Sequence, residues 1–442
     1  MKRDIYQKLT KWKISSRRKP LILRGARQVG KTYILKDFGS HEYEKIAYFD
    51  FEATPDLDDI FKRNLDPSRI LTDLSRLQGW EIKPAQHLII FDEIQASNHA
   101  LNSLKYFCEN APQYHVAAAG SLLGVKLSGT KSFPVGKVNF LDLYPMTFME
   151  FLSAAGHSGL REMIDTTEVF MPYALPFHAE LMACLRNYFF IGGMPEAVKH
   201  FMGSGDLQGV REIQKEIIDS FILDFSKHAP VSDIPKLSLI WNSLPSQLAR
   251  ENKKFVFSAV KKSARAREYE SALQWLEDTG LIMKSYHVST AKLPLKGYAS
   301  KEVFKVFVLD IGILGAMSNI PVELVVKGER LFNEFQGAFV ENYVAQQLCS
   351  HYDYELYYWK SSGGKAEVDF LIQHEDEVFP LEVKSGINPR SKSLRSYEVQ
   401  FSPRFLSRTS LLNLKHNGNI CNYPLYAISL FPGLAFKPLI KR

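Results

Sequence analysis

The chain has 442 residues, of which 45% are hydrophobic, and a formal net charge of +7. This length suits about three domains, each with a core of its own. Its first residues lack the apolar stretch of a signal peptide, and apolar runs such as 88–91 are too short to span a bilayer. The four cysteines have no paired spacing, which argues against a zinc site and a disulfide framework. These features are typical of a cytoplasmic protein.

Short apolar segments alternate with helix-period segments through residues 1–150. This alternation predicts a mostly parallel sheet with helices on both faces. The strand candidates are 21–23, 47–51, 87–91, 116–119 and 138–143. The helix-period segments between them include 55–64, 70–77 and 100–109.

A glycine-rich motif follows the first strand candidate and precedes a helical pattern at 33–38. It fits the P-loop pattern G-x-x-x-x-G-K-[ST] without a mismatch. In such a loop the backbone N–H groups surround a phosphate, and the helix N-terminus adds partial positive charge. We expect Lys31 to reach the β- and γ-phosphates of ATP, and the Thr32 hydroxyl to ligate Mg²⁺. The residues expected to bind the nucleotide are Gly25, Ala26, Arg27, Gln28, Val29, Gly30, Lys31 and Thr32.

Two acidic residues, Asp92 and Glu93, follow the third strand candidate. At the carboxyl edge of a parallel sheet, beside a P-loop, acids in this position suit nucleotide hydrolysis. We expect Asp92 to hold Mg²⁺ through its water shell, and Glu93 to orient and activate the attacking water. The alternative is a solubilising turn at a strand end.

Six motifs occur in one order along the chain: 24–32, 91–95, 120–121, 136–137, 143–151 and 192–197. Together they resemble a family of predicted prokaryotic AAA+ ATPases fused to a C-terminal domain of uncharacterised role. The resemblance runs from about residue 19 to residue 386 and implies that Ser121 senses the γ-phosphate. The family usually has Gly-Arg where this chain has Gly136 and Lys137. Lys137 is therefore a candidate finger residue that lacks the planar fork of arginine.

The middle of the chain reads as two further regions. Residues 151–235 have a helical pattern, which the family resemblance interprets as a lid over the nucleotide. Residues 236–320 resemble a winged helix, with one buried helix face ending at Gly280 and strand candidates at 282–288 and 303–309. This region could contact a DNA backbone or dock a protein. Its basic residues are Lys253, Lys254, Lys261, Lys262, Arg265, Arg267, Lys292 and Lys296.

The last region, 321–442, contains a predicted hairpin of strands 366–372 and 378–384. Folding the hairpin about Glu375 and Asp376 places Asp369 opposite Glu382, with Lys384 on the same face. Opposed carboxylates repel each other, and a divalent cation would relieve the repulsion. The pattern resembles the PD-(D/E)xK nuclease signature.

By that resemblance Asp369 and Glu382 hold Mg²⁺, Lys384 assists water attack, and Glu341 is the helix acid. The alternative is an ordinary exposed hairpin.

The sequence therefore predicts an α/β protein with four regions: a P-loop AAA+-like ATPase domain (1–150), a helical lid (151–235), a winged-helix-like domain (236–320) and a restriction-endonuclease-like domain (321–442). After Lys384, nine basic residues accompany one acidic residue, which suggests a nucleic-acid partner. We expect an ATPase coupled to a nucleic-acid-acting module. The alternatives are an ATP-dependent nuclease and an ATP-gated DNA-binding or scaffolding switch. A homo-oligomer or a partner protein is compatible with each.

Overall fold

The computed structural model describes residues 1–120, 136–250, 254–323, 337–352, 354–386 and 391–436. The chain forms two compact units. Unit 1 comprises Met1–Tyr144 and the short segment Asp278–Leu281, and unit 2 comprises Pro145–Glu277 and Ile282–Arg442. Within the described ranges, no helix has the length and apolar character needed to cross a membrane.

Unit 1 is built on a parallel sheet of five strands in the order β2-β3-β4-β1-β5. Every residue of β3 and β4 is buried, as expected for strands that are covered on both faces. The predicted parallel α/β sheet is thus confirmed. The strands are β1 (Leu21–Arg24), β2 (Lys45–Asp50), β3 (His87–Asp92), β4 (His115–Ala119) and β5 (Asn139–Asp142).

The described part of unit 1 has five α-helices, and side-chain caps begin two of them. The Asp66 side chain accepts a hydrogen bond from the Ser68 N–H at the start of α4, and Ser97 caps α5 in the same way. Aromatic side chains of β2, α3, β3 and α5 share one core. The helices are α1 (Ile5–Ile14), α2 (Lys31–Glu42), α3 (Asp58–Arg63), α4 (Pro67–Gln78) and α5 (Asn98–Asn110).

Unit 2 begins with a run of helices, which confirms the helical pattern predicted for 151–235. They are α6 (Phe148–Ala154), α7 (Ser158–Asp165), α8 (Leu175–Ile191), α9 (Pro195–Ser204), α10 (Leu207–His228), α11 (Ile234–Leu248), α12 (Phe257–Val260) and α13 (Ala266–Asp278). Among the strands, the described ranges also contain α14 (Ile311–Met317), α15 (Ala338–Tyr352) and α16 (Lys392–Phe401).

The strands of unit 2 form one mixed sheet of eight, in the order β12-β13-β11-β10-β9-β8-β6-β7. They are β6 (Ile282–Val288), β7 (Ala299–Val308), β8 (Leu356–Lys360), β9 (Glu367–His374), β10 (Glu377–Val383), β11 (Leu406–Ser410), β12 (Lys415–Asn417) and β13 (Ile420–Pro424). The two strands expected for a wing, β6 and β7, belong to this sheet, because β6 pairs in parallel with β8. The domain boundary predicted at residue 320 therefore falls between strands of one and the same sheet.

The glycine pair at 192–193 has a packing role in unit 2. The Gly193 N–H donates to Asp310 Oδ2 at 2.6 Å. A Cβ on Gly192 would lie 2.1 Å from Asp310 Oδ1, and a Cβ on Gly193 would lie 2.0 Å from the Met146 carbonyl oxygen. Gly192 also has a φ of 73°. Both positions need glycine because polar atoms approach the backbone too closely for a side chain.

Candidate functional site

The loop between β1 and α2 has the backbone that a P-loop requires. Gly25 and Gly30 have φ values of 146° and 94°, in the region that favours glycine. A Cβ on Gly25 would lie 2.2 Å from the Leu143 carbonyl oxygen, so the close approach of the chain after β5 also requires glycine there. Gly30 is the residue before the first turn of α2, which places the free N–H groups of that turn at the loop.

Lys31 is the first residue of α2, and its side chain folds back into the loop. The ammonium donates hydrogen bonds to the carbonyl oxygens of Gly25 at 3.0 Å and Ala26 at 2.8 Å. The side chain is buried. The loop therefore holds a positive charge at its centre, where the outer phosphates of a nucleotide would lie.

Thr32 and Asp92 meet at the carboxyl edge of the sheet. The Thr32 hydroxyl donates to Asp92 Oδ2 at 2.7 Å, and Asp92 is the last residue of β3. Tyr48 also donates to Asp92 Oδ2, at 2.8 Å. Burial and the hydrogen bond to Asp92 raise the pKa of Tyr48, so this hydroxyl keeps its proton. One carboxylate is thus held by two hydroxyl groups.

Tyr48 was not identified from the sequence, although the end of its strand carries a signal for it. Asp50 lies beside Asp92 in the parallel pairing of β2 with β3, so the end of β2 adjoins the end of β3. Tyr48 is two residues before Asp50 and therefore faces the same side of the sheet. A polar pair at the end of the neighbouring strand could have drawn attention to it.

Glu93 lies directly after β3 in a left-handed conformation, with φ of 47°. Its N–H donates to Asp92 Oδ1 at 3.1 Å, and its carboxylate accepts a hydrogen bond from the Gln95 side chain. This backbone turn is unusual for a residue other than glycine, and it comes where β3 ends, at Asp92. The expected pairing of a metal-holding acid with a neighbouring catalytic acid is compatible with this geometry.

Two further residues of the expected ATPase site remain predictions. Ser121 lies outside the described residues. Lys137 forms an ion pair with Glu109 at 2.9 Å, and that hydrogen bond raises the pKa of Lys137. It precedes β5, whose first residue pairs with Leu21 at the start of β1. Lys137 thus lies at the amino edge of the sheet, about 10 Å or more along β1 from the P-loop of the same unit.

The predicted hairpin register in unit 2 is confirmed. His374 pairs with Glu377, and the ladder ends at Phe370 paired with Leu381, one position before Asp369 and Glu382. Asp369 Oδ2 accepts a hydrogen bond from the Val383 N–H at 2.8 Å. Lys384 lies 2.9 Å from Glu382 Oε1.

Lys305 of β7 was not identified from the sequence, and it lies among these acids. Its Nζ is 2.6 Å from Glu367 Oε1, 3.6 Å from Glu341 Oε2 and 4.0 Å from Asp369 Oδ1. The side chain is 1% exposed. We refer to Glu341, Glu367, Asp369 and Glu382 as the carboxylate cluster. No local pattern around Lys305 could have placed it there, because the contacts join β7 to α15 and β9.

In this cluster the carboxylates stabilise the charged form of Lys305, and Lys305 stabilises the charged form of Glu367. Burial would lower the pKa of Lys305, but the carboxylates of Glu341, Glu367 and Asp369 outweigh it and raise the pKa. Burial would raise the pKa of Glu367, but the ammonium of Lys305 outweighs it and lowers the pKa. Lys305 and Glu367 are therefore both ionised at neutral pH.

The two sites differ in how well they suit a divalent ion. The Thr32 hydroxyl and the Asp92 carboxylate are oxygen ligands side by side at a P-loop, which fits Mg²⁺. Within the described ranges, no group of three or more His, Cys, Asp or Glu side chains is arranged to hold a metal ion. Glu341, Glu367 and Asp369 instead surround Lys305, and Glu382 pairs with Lys384. The metal roles expected for Glu341, Asp369 and Glu382 stay predictions.

The basic C-terminal segment is partly structural. Arg408 is buried and donates to the Asn422 side chain at 2.9 Å. Arg404 forms an ion pair with Glu377. Lys392 and Arg395 are exposed on α16. Four others lie outside the described residues: Arg390, Lys437, Lys441 and Arg442.

Three family models match separate parts of the chain. Residues 17–152 match a model described as an AAA domain. Residues 182–323 match a domain of unknown function, DUF8612, and residues 336–427 match another, DUF4143. The P-loop unit is therefore an AAA-type nucleotide-binding domain. The boundary between the other two models lies, along the chain, between β7 and β8, so both models include strands of the eight-stranded sheet.

Solved structures give weak similarities. One is the Aeropyrum pernix ORC1 protein in complex with DNA, with 13% identity over 73% of this chain and 92% of that chain and a TM-score of 0.28. Another is the Thermotoga maritima RuvB Holliday junction branch migration motor, with 15% identity over 67% of this chain and 91% of that chain and a TM-score of 0.28. These TM-scores are too low to support a conclusion about function. No curated protein matches the chain.

Proposed function

We propose that the protein is an AAA+ ATPase that hydrolyses ATP in unit 1 and uses it to control a nucleic-acid-binding unit 2. The observation that carries the ATPase proposal is the 2.7 Å hydrogen bond between Thr32 and Asp92 beside the P-loop lysine. It brings together the end of β3 and the start of α2. A glycine turn without a nucleotide would not need this arrangement.

Different residues of unit 1 have different roles in the proposed hydrolysis. Loop N–H groups and Lys31 bind the phosphates, and Thr32 with Asp92 would hold Mg²⁺, which neutralises charge on the outer phosphates when bound. Tyr48 keeps Asp92 in position through its 2.8 Å hydrogen bond. Glu93, released from the strand by its left-handed turn, accepts the proton of the attacking water. Ser121 is proposed to contact the γ-phosphate.

The chain path supports a coupling between nucleotide and unit 2. Asp278–Leu281 belongs to unit 1, although it continues directly from α13 and leads into β6. A change at this segment would therefore pass along the backbone into the eight-stranded sheet. We propose that ATP binding acts on unit 2 through this connection.

Exposed basic residues in the connection between α12 and α13 and at the start of α13 support nucleic-acid binding by unit 2. Lys261, Lys262, Arg265 and Arg267 are all exposed. None of the four has an ion-pair partner among the residues that the structure describes. Unpaired cations grouped on one connection suit a phosphate backbone. Docking of an acidic protein is the alternative that a binding experiment would distinguish.

The ATPase proposal is tested with two substitutions in unit 1. Lys31→Ala should abolish tight binding of a fluorescent ATP analogue, because the central positive charge is lost. Glu93→Gln should bind the analogue normally but release phosphate roughly 100-fold or more slowly, because the general base is removed.

Lys11→Ala is the matched control, since Lys11 is exposed on α1. It should behave as wild type in both assays. Unchanged nucleotide affinity in the Lys31→Ala protein would contradict the P-loop assignment.

A further inference from the structure

We propose that the ammonium group of Lys305 takes the place of a divalent metal ion in the carboxylate cluster, so that unit 2 does not cleave nucleic acid by metal-dependent hydrolysis. The geometry is that of a cation site already filled by the chain. Lys305 Nζ lies within 4.0 Å of oxygens from Glu341, Glu367 and Asp369. These residues come from α15 and β9, and the cation comes from β7.

A metal ion and Lys305 could not share this position. A divalent ion in an oxygen site binds its ligands at about 2.0–2.6 Å. Lys305 Nζ is already 2.6 Å from Glu367 Oε1, so an ion at the centre would displace the ammonium. Displacement would move a positive charge through a buried region, since Lys305 is 1% exposed and its Nζ lies 4.8 Å from the centre of the Tyr358 ring.

The remaining charges also leave little need for a metal ion. Lys384 lies 2.9 Å from Glu382 Oε1, and Lys360 lies 3.4 Å from Glu367 Oε2. Together with Lys305, three ammonium groups face the four carboxylates of the cluster. Asp369 and Glu382 thus each have an ammonium group of the chain within 4.0 Å.

The direct test measures Mn²⁺ bound to the full chain without nucleotide. Wild type and the double variant Asp369→Asn/Glu382→Gln should bind the same number of ions with the same affinity, because these acids are not ligands. Loss of one bound ion in the double variant would overturn the proposal. So would Mg²⁺-dependent cleavage of DNA or RNA that Asp369→Asn abolishes. Neither measurement depends on ATP hydrolysis in unit 1.

A second measurement asks whether Lys305 is the cation that the cluster needs. Lys305→Met should lower the melting temperature by roughly 10 °C, because the buried carboxylates lose their counter-ion. Added Mn²⁺ or Ca²⁺ should recover part of this loss in the variant and should not shift the wild type.

Lys296→Met is the matched control, because Lys296 is 78% exposed and pairs with Glu355. Its melting temperature should equal that of the wild type. If Lys305→Met also melts with the wild type, the proposal is overturned. If that variant does not fold, the Mn²⁺ count in wild type and the double variant still decides the question.

Discussion

The Asp92 carboxylate shows how single hydrogen bonds prepare the nucleotide site. It is buried and accepts hydrogen bonds from Thr32 and Tyr48 on the same oxygen. If Thr32 and Asp92 hold Mg²⁺ as proposed, the Thr32 hydroxyl would offer its oxygen to the ion. The Tyr48 hydroxyl could keep its hydrogen bond to Oδ2 while the Glu93 N–H keeps its hydrogen bond to Oδ1, so Tyr48 is the side chain that would hold Asp92 in place. Groups of this kind commonly tune a metal ligand without touching the ion.

Tyr48→Phe should therefore lower the affinity of the site for Mg²⁺ more than its affinity for the nucleotide. We expect the Mg²⁺ concentration for half-maximal phosphate release to rise roughly tenfold or more. The affinity for an ATP analogue without Mg²⁺ should stay unchanged. Tyr106→Phe on α5 is the control. An equal loss at all Mg²⁺ concentrations would indicate a structural role for Tyr48 instead.

At the scale of elements, the glycine pair of unit 2 joins α8 to the turn before α14. Asp310 accepts hydrogen bonds from the N–H groups of Gly193 and Ile313, and from the Gln346 side chain. Burial raises the pKa of Asp310. One buried carboxyl thus connects three elements, and its close approach requires glycine at 192.

Gly193→Ala should destabilise the protein because the new Cβ would lie 2.0 Å from the Met146 carbonyl oxygen. We expect a loss of about 1–3 kcal/mol in the free energy of unfolding, as for overpacked sites. Urea denaturation measures it. Gly203→Ala is the matched control, because nothing lies within 4 Å of its Cβ. That change should stabilise α9 by up to about 1 kcal/mol. Equal midpoints for the two variants would contradict this role.

Local patterns predicted the elements well where neighbours in sequence are neighbours in space. The hairpin register follows from its two-residue turn, in which Glu375 has a φ of 52°, and the strand ending in Asp92 follows from its apolar run. The pairing of β6 with β8 could not be predicted from local patterns. The paired positions Ser285 and Leu356 lie 71 residues apart in the sequence (356 − 285 = 71). Lys305 was missed for the same reason.

At the scale of the molecule, nucleic-acid binding should be electrostatic and sensitive to salt. Lys262→Ala/Arg265→Ala removes two exposed cations near α13. For a labelled oligonucleotide, the slope of log affinity against log salt should fall by about 2, because two phosphate contacts are lost. Fluorescence anisotropy measures the affinity.

The matched control is Lys199→Ala/Lys215→Ala, which removes two exposed lysines from α9 and α10. It should leave the slope unchanged. Equal slopes for the two double variants would mean that the connection before α13 does not contact nucleic acid. Absence of binding in the wild type would favour docking of a protein.

The pairing of β6 with β8 also limits how far the protein can be truncated from its N-terminal end. A protein that starts at residue 321 would lack β6 and β7, so the backbone N–H and C=O groups of β8 from Leu356 to Trp359 would face solvent. An uncovered strand edge of this kind recruits other chains and promotes aggregation. It would also lack Lys305, leaving Glu341, Glu367 and Asp369 without their nearest cation. A soluble C-terminal fragment must therefore begin before Ile282.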